Sequence, residues 1–293
     1  MPWVQLHLTS DRDTAPVLED RLLACGALSV TLADSEDEPI LEPGVGETPL
    51  WQSVRITGLF EADIDRRTVT SAIADIAGTR AADPVWETLA DRPWERTWMD
   101  DFAPIRCGDR LWICPSWQSP PDPGAVNLVL DPGLAFGSGT HATTFLCLQW
   151  LDGQDLAGKT VIDYGCGSGI LGIGALLLGA DRVIAVDNDP QALLATRDNL
   201  HRNGLDTDRL TAWLPDQMPT ATVDILVANI LAGPLIELSA LLEGRLKAGG
   251  RLCLSGITGE QTEAVVGAYP GIHFDSPVCR DEWTRLTGVK TGT

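Results

Sequence analysis

The chain has 293 residues, 44% of them hydrophobic and 21% charged, which suits about two globular domains with a sizeable core. A formal net charge of −20 argues against the basic footprint a nucleic-acid binder needs and favours a cationic partner. The longest apolar run, 170–180, is too short to span a bilayer, and the first residues, MPWVQLHLTS, lack the pattern of a secretory signal. The seven scattered cysteines, with no C-x-x-C pair, fit a reducing cytoplasm better than a disulfide framework or a zinc site.

Residues 1–90 read as a small α+β unit. Alternation over 3–8 predicts a half-buried strand. Val17, Leu18, Leu22 and Leu23 recur at helical spacing over 15–25, and Gly26 stops that helix. Strands are expected over 28–32 and 54–60, separated by an acidic loop, DSEDEPILEPGVGETP. A helix over 65–77 ends at Gly78, and 84–89 supplies a last strand. The order βαββαβ is the ferredoxin-like pattern, a superfold that carries no function by itself. Its expected task is to hold a macromolecular substrate; the plainer alternative is a stabilising appendage.

Residues 91–107 form a charged connector in which prolines at 93 and 104 disfavour one continuous helix. Trp94, Trp98 and Phe102 recur every four residues. Either a short amphipathic helix packs on one domain, or Trp98 or Phe102 folds over a ligand site and excludes water. The second domain, 108–293, begins with strand-like runs over 110–115 and 126–130, read as a hairpin joined by the proline-rich SWQSPPDPG. A glycine loop follows, Phe136-Gly-Ser-Gly-Thr-His141, ahead of an apolar helix over 145–151. Thr143 is either that helix's cap or, with Thr144, a hydroxyl facing a ligand. His141 is the best-placed imidazole, or else a surface loop residue.

The organising stretch is 160–189, TVIDYGCGSGILGIGALLLGADRVIAVDND. A β-branched strand ends in Asp163, and the glycine turn Gly165-Cys-Gly167-Ser-Gly169 opens onto a helix over 170–178. A second strand, 182–186, ends on Asp187. Glycine lets backbone approach a ligand closely at a helix N-terminus. An acid about 20 residues on can accept hydrogen bonds from both hydroxyls of a ribose. The alternation continues with a helix from Pro190 to Asn203-Gly204 and strands over 210–214 and 224–230. Asp216 is a weak candidate for an adenine edge. A helix over 234–246, a strand over 251–257, a helix over 259–269 and a closing strand pair, 273–278 and 283–289, complete a mostly parallel sheet.

The turn reads D-x-G-x-G-x-G and resembles the first motif of Rossmann-like S-adenosylmethionine-dependent methyltransferases, with Asp163, Gly165 and Gly167 in the turn and Asp187 as the ribose-binding acid. That resemblance implies a seven-stranded Rossmann-like methyltransferase domain. Three segments together, LDPGLAFGSGTHATT (130–144), VIDYGCGSGILGIGA (161–175) and VANILAGPL (227–235), resemble the PrmA-type methyltransferases, as does WMDDFAPIRCGDRLWICPSW (98–117). The resemblance covers essentially the whole chain. It implies transfer of methyl groups from S-adenosyl-L-methionine to lysine ε-amines, and to the N-terminal α-amine, of a basic protein of the large ribosomal subunit, L11. S-adenosyl-L-homocysteine is then the product and no metal is involved. The family's cofactor positions fall on Thr144, Gly165, Asp187 and Asn229, and Phe102 and His141 join them as candidates. Asn229 is assigned to positioning the amine. Methyltransferases of planar nitrogens often carry N-P-P-Y where this chain has Asn229-Ile-Leu-Ala, which leaves aliphatic amines in front. The rivals are a methyltransferase of another protein, of RNA or of a small molecule, and a non-catalytic cofactor-binding assembly protein.

Overall fold

A computed structural model describes residues 3–36, 50–77, 84–89, 103–131 and 141–292. The chain divides into two compact units, Met1–Met99 and Asp100–Thr293. The acidic loop, most of the connector with Trp98 and Phe102, and the glycine loop up to Thr140 lie outside the described residues.

The first unit runs β1 (Trp3–Asp11), α1 (Ala15–Ala24), β2 (Ser29–Asp34), β3 (Ser53–Glu61), α2 (Arg66–Ala77) and β4 (Val85–Leu89). Its sheet has the order β2-β3-β1-β4, with every neighbouring pair antiparallel. Period-two patterning sends Val4, Leu6 and Leu8 of β1, and Val54, Ile56 and Phe60 of β3, to one face. Ala15, Leu18 and Leu22 of α1, with Val69 and Ile73 of α2, complete that core. Trp86 on β4 lies 5.5 Å from Phe60 and donates its indole N–H to the Thr70 hydroxyl at 3.2 Å.

The second unit begins with a three-stranded sheet of β5 (Ile105–Arg106), β6 (Leu111–Cys114) and β7 (Val126–Val129). The expected hairpin is not what forms. β6 and β7 run parallel, and it is β5 that pairs antiparallel with β6. Eleven residues separate β6 from β7, enough for the prolines to carry the chain back to the start of a parallel neighbour instead of turning it tightly.

Next come α3 (Ala142–Asp152), β8 (Thr160–Tyr164), α4 (Ile170–Leu177), β9 (Arg182–Val186), α5 (Pro190–Arg202), β10 (Leu210–Trp213), β11 (Val223–Asn229), α6 (Ala232–Glu237), α7 (Ser239–Gly244), β12 (Leu246–Thr258), α8 (Thr262–Gly267), β13 (Ile272–Phe274), β14 (Val278–Arg280) and β15 (Trp283–Lys290). They build an eight-stranded sheet whose hydrogen-bonded path is β10-β9-β8-β11-β12-β15-β13, with short β14 paired to β15 off that path. The pairs from β10 to β12 are parallel, and β15 is antiparallel to β12. The expected closing pair is therefore three strands, because both β13 and β14 pair with β15.

Both faces of this sheet are buried, so its strands read as continuous apolar runs. Val161, Val183, Ile225 and Val227 face one core with α3 and α4, while Ile162, Ile184, Leu226 and Leu254 face the other with α6 to α8. The helix expected over 234–246 is broken into α6 and α7 at Leu238. The one expected over 259–269 is a 3-10 turn, Gly259–Gln261, followed by α8.

Tyr269 ties the second core together. Its buried hydroxyl donates to the Leu235 carbonyl at 2.7 Å, and its ring meets Phe274 edge-on at 6.1 Å. Replacing Tyr269 by Phe leaves the Leu235 carbonyl without its donor and is expected to lower stability by about 1–2 kcal/mol. Urea unfolding measures this, and an unchanged midpoint would show that the bond contributes nothing.

Candidate active site

The site gathers at the carboxyl ends of β8, β9 and β11, where the order of strands reverses and open α/β sheets place their ligands. Between β8 and α4 the turn residues Gly165, Gly167 and Gly169 have φ of 74°, 52° and 78°. These are left-handed conformations that glycine adopts without cost. A methyl group on Gly165 would also collide with the Ile230 side chain just beyond β11.

Most of the turn's backbone groups are engaged within the protein. Gly165 and Cys166 N–H donate to the Val186 carbonyl at 2.7 and 3.0 Å, and Gly169 N–H donates to Cys166 O at 2.7 Å. Gly167 N–H donates to Asp187 Oδ2 at 2.8 Å. Asp187 Oδ1 accepts from Asp189 N–H at 3.0 Å, so one carboxylate joins the glycine turn to the start of α5. The Gly167 and Ser168 carbonyls accept from Thr196 and Asn199 of α5 at 3.1 and 2.8 Å. Among the described residues the Gly165 carbonyl is left as the turn's unengaged acceptor.

Asp163, under the turn, is wholly buried. Its Oδ2 accepts from Gly172 N–H at 2.8 Å, while Oδ1 has no partner. Burial pushes its carboxyl up to about 7; the Gly172 bond opposes this and the Asp187 charge adds to it. Asn229 ends β11, and its Nδ2 donates to Thr144 Oγ1 on α3 at 3.3 Å. The two meet across 85 positions of sequence. That bond engages the amide nitrogen and leaves Asn229 Oδ1 available as an acceptor.

Gly165, Gly167, Asp163 and Asp187 thus share one locus, while Thr144 and Asn229 form a directly bonded pair. His141 is the N-cap of α3, a role the sequence reading had allowed to Thr143. Its Nδ1 accepts from the Thr143 N–H at 3.4 Å and lies 2.7 Å from the Thr143 hydroxyl. The ring lies edge-on to Trp283, 4.9 Å away. Phe102 lies outside the described residues, and Asp216 is exposed in a 3-10 turn.

Sequence reasoning missed Thr196, Asn199 and Gly256. The first two had a signal: they are polar and one turn apart, on the helix face that otherwise carries Ala192, Leu193 and Leu200. Gly256 (φ 86°) is pressed against the Ile230 backbone, with the Ile230 carbonyl only 2.5 Å from where a Cβ would stand. Nothing in its neighbours announces that approach.

An open sheet of this order, with a glycine turn, a carboxylate and an amide at its reversal point, defines an α/β methyltransferase. A solved structure of ribosomal protein L11 methylase from Lactobacillus delbrueckii subsp. bulgaricus is similar, with a TM-score of 0.58 and 30% identity, covering 65% of this chain and 100% of that one. Residues 2–291 match the family model described as ribosomal protein L11 methyltransferase (PrmA), and the chain belongs to that family. It is 56% identical to the ribosomal protein L11 methyltransferase of Cellvibrio japonicus over 99% of both chains. It is 54% identical to that of Teredinibacter turnerae over 99% of this chain and 97% of the other.

Asp163 supplies a pH test. A folded-state pKa of about 7 against an ordinary 3.8 means that the folded protein holds this proton more tightly than the unfolded chain. Its contribution to stability therefore falls as pH rises from about 4 to about 7, then levels off. Asp163→Asn removes that dependence. Its stability relative to the parent should climb by a few kcal/mol over this window, at about 1.4 kcal/mol per pKa unit. Urea midpoints at several pH values measure it, and a difference flat with pH would mean that Asp163 titrates normally.

Proposed function

We propose that this protein transfers methyl groups from S-adenosyl-L-methionine to lysine ε-amines, and to the N-terminal α-amine, of ribosomal protein L11. The Asn229–Thr144 pair carries the reading, because it leaves one fixed amide oxygen at the strand end where a nucleophile arrives.

The residues present suit the cofactor. Asp187 offers a carboxylate to the ribose hydroxyls. The free Gly165 carbonyl, with Asp163 buried beneath it, suits an amino acid's ammonium group. The Thr144 hydroxyl lies beside the Asn229 amide. Bound S-adenosyl-L-methionine supplies an electrophilic methyl carbon on a sulfonium centre, already activated.

The protein's task is then alignment and control of the amine. A lysine ammonium titrates at about 10.4 and an α-amine at about 7.7–8.0, so neutral lysine is scarce at pH 7. Taking the amine out of water beside a positive centre favours its neutral form. Asn229 Oδ1 accepts one amine N–H and aims the lone pair. An amide is no base at neutral pH, so the released proton leaves by solvent. Asn229 is followed by Ile230, Leu231, Ala232 and Gly233, apolar and small residues that suit an aliphatic amine growing by successive methyls.

We read the first unit, with its βαββαβ order, as a ferredoxin-like module that recognises the ribosomal protein, and the path from β10 to β13 as the seven-stranded methyltransferase sheet with β14 added. The net charge of −20 supports a basic protein substrate.

Mass spectrometry of free L11 after incubation with this protein and S-adenosyl-L-methionine should show gains in whole methylene steps, mapped to lysines or the N-terminus. Label on other proteins alone would discard L11 and retain the chemistry. Asn229→Ala should lower kcat by about 100-fold, the cost of losing alignment. It should leave much of the affinity for S-adenosyl-L-homocysteine intact, and undiminished turnover would remove Asn229 from the reaction.

A further inference from the structure

Helix α5 buries two polar side chains under the glycine turn, Thr196 with 0% of its surface exposed and Asn199 with 7%. Thr196 Oγ1 donates to the Gly167 carbonyl at 3.1 Å and lies 3.4 Å from Cys166 Sγ. Asn199 Nδ2 donates to the Ser168 carbonyl at 2.8 Å. Thr196 also occupies the space above Gly169, where an added Cβ would stand 2.7 Å from Thr196 Cγ2.

Buried hydroxyl and amide groups cost stability unless they are bonded, and apolar side chains of the same size would fill this face at lower risk. What these two add is direction. Glycines accept either sign of φ, so a turn with three of them has alternative peptide orientations close in energy. Bonds from α5 hold the Gly167 and Ser168 carbonyls toward the helix, and on the opposite side Asp187 takes the Gly167 N–H. With these three peptides held, and the Gly165 peptide held in turn by Cys166 N–H on the Val186 carbonyl, the Gly165 carbonyl and the Asp187 carboxylate keep one spacing.

We propose that Thr196 and Asn199 are positioning residues for the cofactor, acting through the glycine turn and touching no ligand themselves. This rests on the reading of the turn as the S-adenosyl-L-methionine site. Removing either donor lets the turn sample other orientations, so cofactor affinity falls while the alignment of the amine, set by Asn229 and Thr144 on other elements, stays.

The test uses the full chain. Calorimetric binding of S-adenosyl-L-homocysteine to the wild type comes first; no binding there sinks the functional reading itself. Thr196→Val and Asn199→Leu, which keep the size and remove the donor, should each raise that Kd, and the KM for S-adenosyl-L-methionine, by roughly tenfold, the scale of one hydrogen bond. Neither kcat nor the KM for L11 should move by more than about twofold. Thr196→Ser keeps the hydroxyl and should restore the wild-type KM. Should Thr196→Val fail to fold, Thr196→Ala, which opens space instead of pressing a methyl on the Gly167 carbonyl, is judged by the same criterion. Cofactor Kd and KM unchanged in the folded variants, whatever their thermal stability, would overturn the proposal and leave the two residues a packing role only.

Discussion

The second unit depends on how closely two glycines can approach Ile230. Gly165 lies against its side chain and Gly256 against its carbonyl, with positive φ at both glycines. Three strand ends are thereby drawn together: that of β8, which feeds the turn, that of β11, which presents Asn229, and β12 beside it. Most interactions at this edge of the sheet are redundant hydrogen bonds in a ladder. At Gly165 a Cβ would displace the Ile230 side chain, and at Gly256 it would press on the Ile230 backbone itself, the residue next to Asn229.

From that constraint the rest of the site follows as a division of labour. The turn takes its shape from glycine, and its orientation from polar partners on two sides, Asp187 after β9 and the pair on α5. The amide of Asn229 takes its direction from Thr144 on α3, a helix that packs on the same face of the sheet as α4 and α5. Few of these side chains do anything alone. Asp163 is the exception in cost, a carboxylate kept in the core with one oxygen bonded and the other not.

The sequence was most legible where a rule of local chemistry acted alone. Glycines at alternate positions, an acid ending each of two β-branched runs, and proline opening α5 all signal their structures directly, and the locus of Asp163, Gly165, Gly167 and Asp187 follows from them. Legibility failed where the outcome depended on partners distant in the chain. The runs at β6 and β7 look like any hairpin; only their neighbours decide that they lie parallel. His141 reads as a candidate for chemistry because imidazole is versatile, yet its Nδ1 serves as a helix cap, a task shared with simpler residues. Thr196 and Asn199 show in the pattern as polar residues on an apolar helix face, but nothing in a linear pattern tells that this face lies against a loop 30 residues earlier. Gly256 shows no signal at all, because its constraint is the backbone of Ile230 on another strand.

Asn203, one further turn along α5, closes the helix and bonds the edge of β7, its Oδ1 accepting from Val129 N–H at 2.8 Å and its Nδ2 donating to Val129 O at 2.9 Å. With Thr196 and Asn199 it completes a stripe on one helix that grips two separate pieces of backbone. The helix therefore works as a ruler, setting the distance between the glycine turn and β7. A ruler tolerates changes of material but not of length. Insertion of a single residue between Thr196 and Asn203 would rotate one grip by about 100° relative to the other. Either the turn or β7 would then lose its hold, even though no residue of the site had been altered.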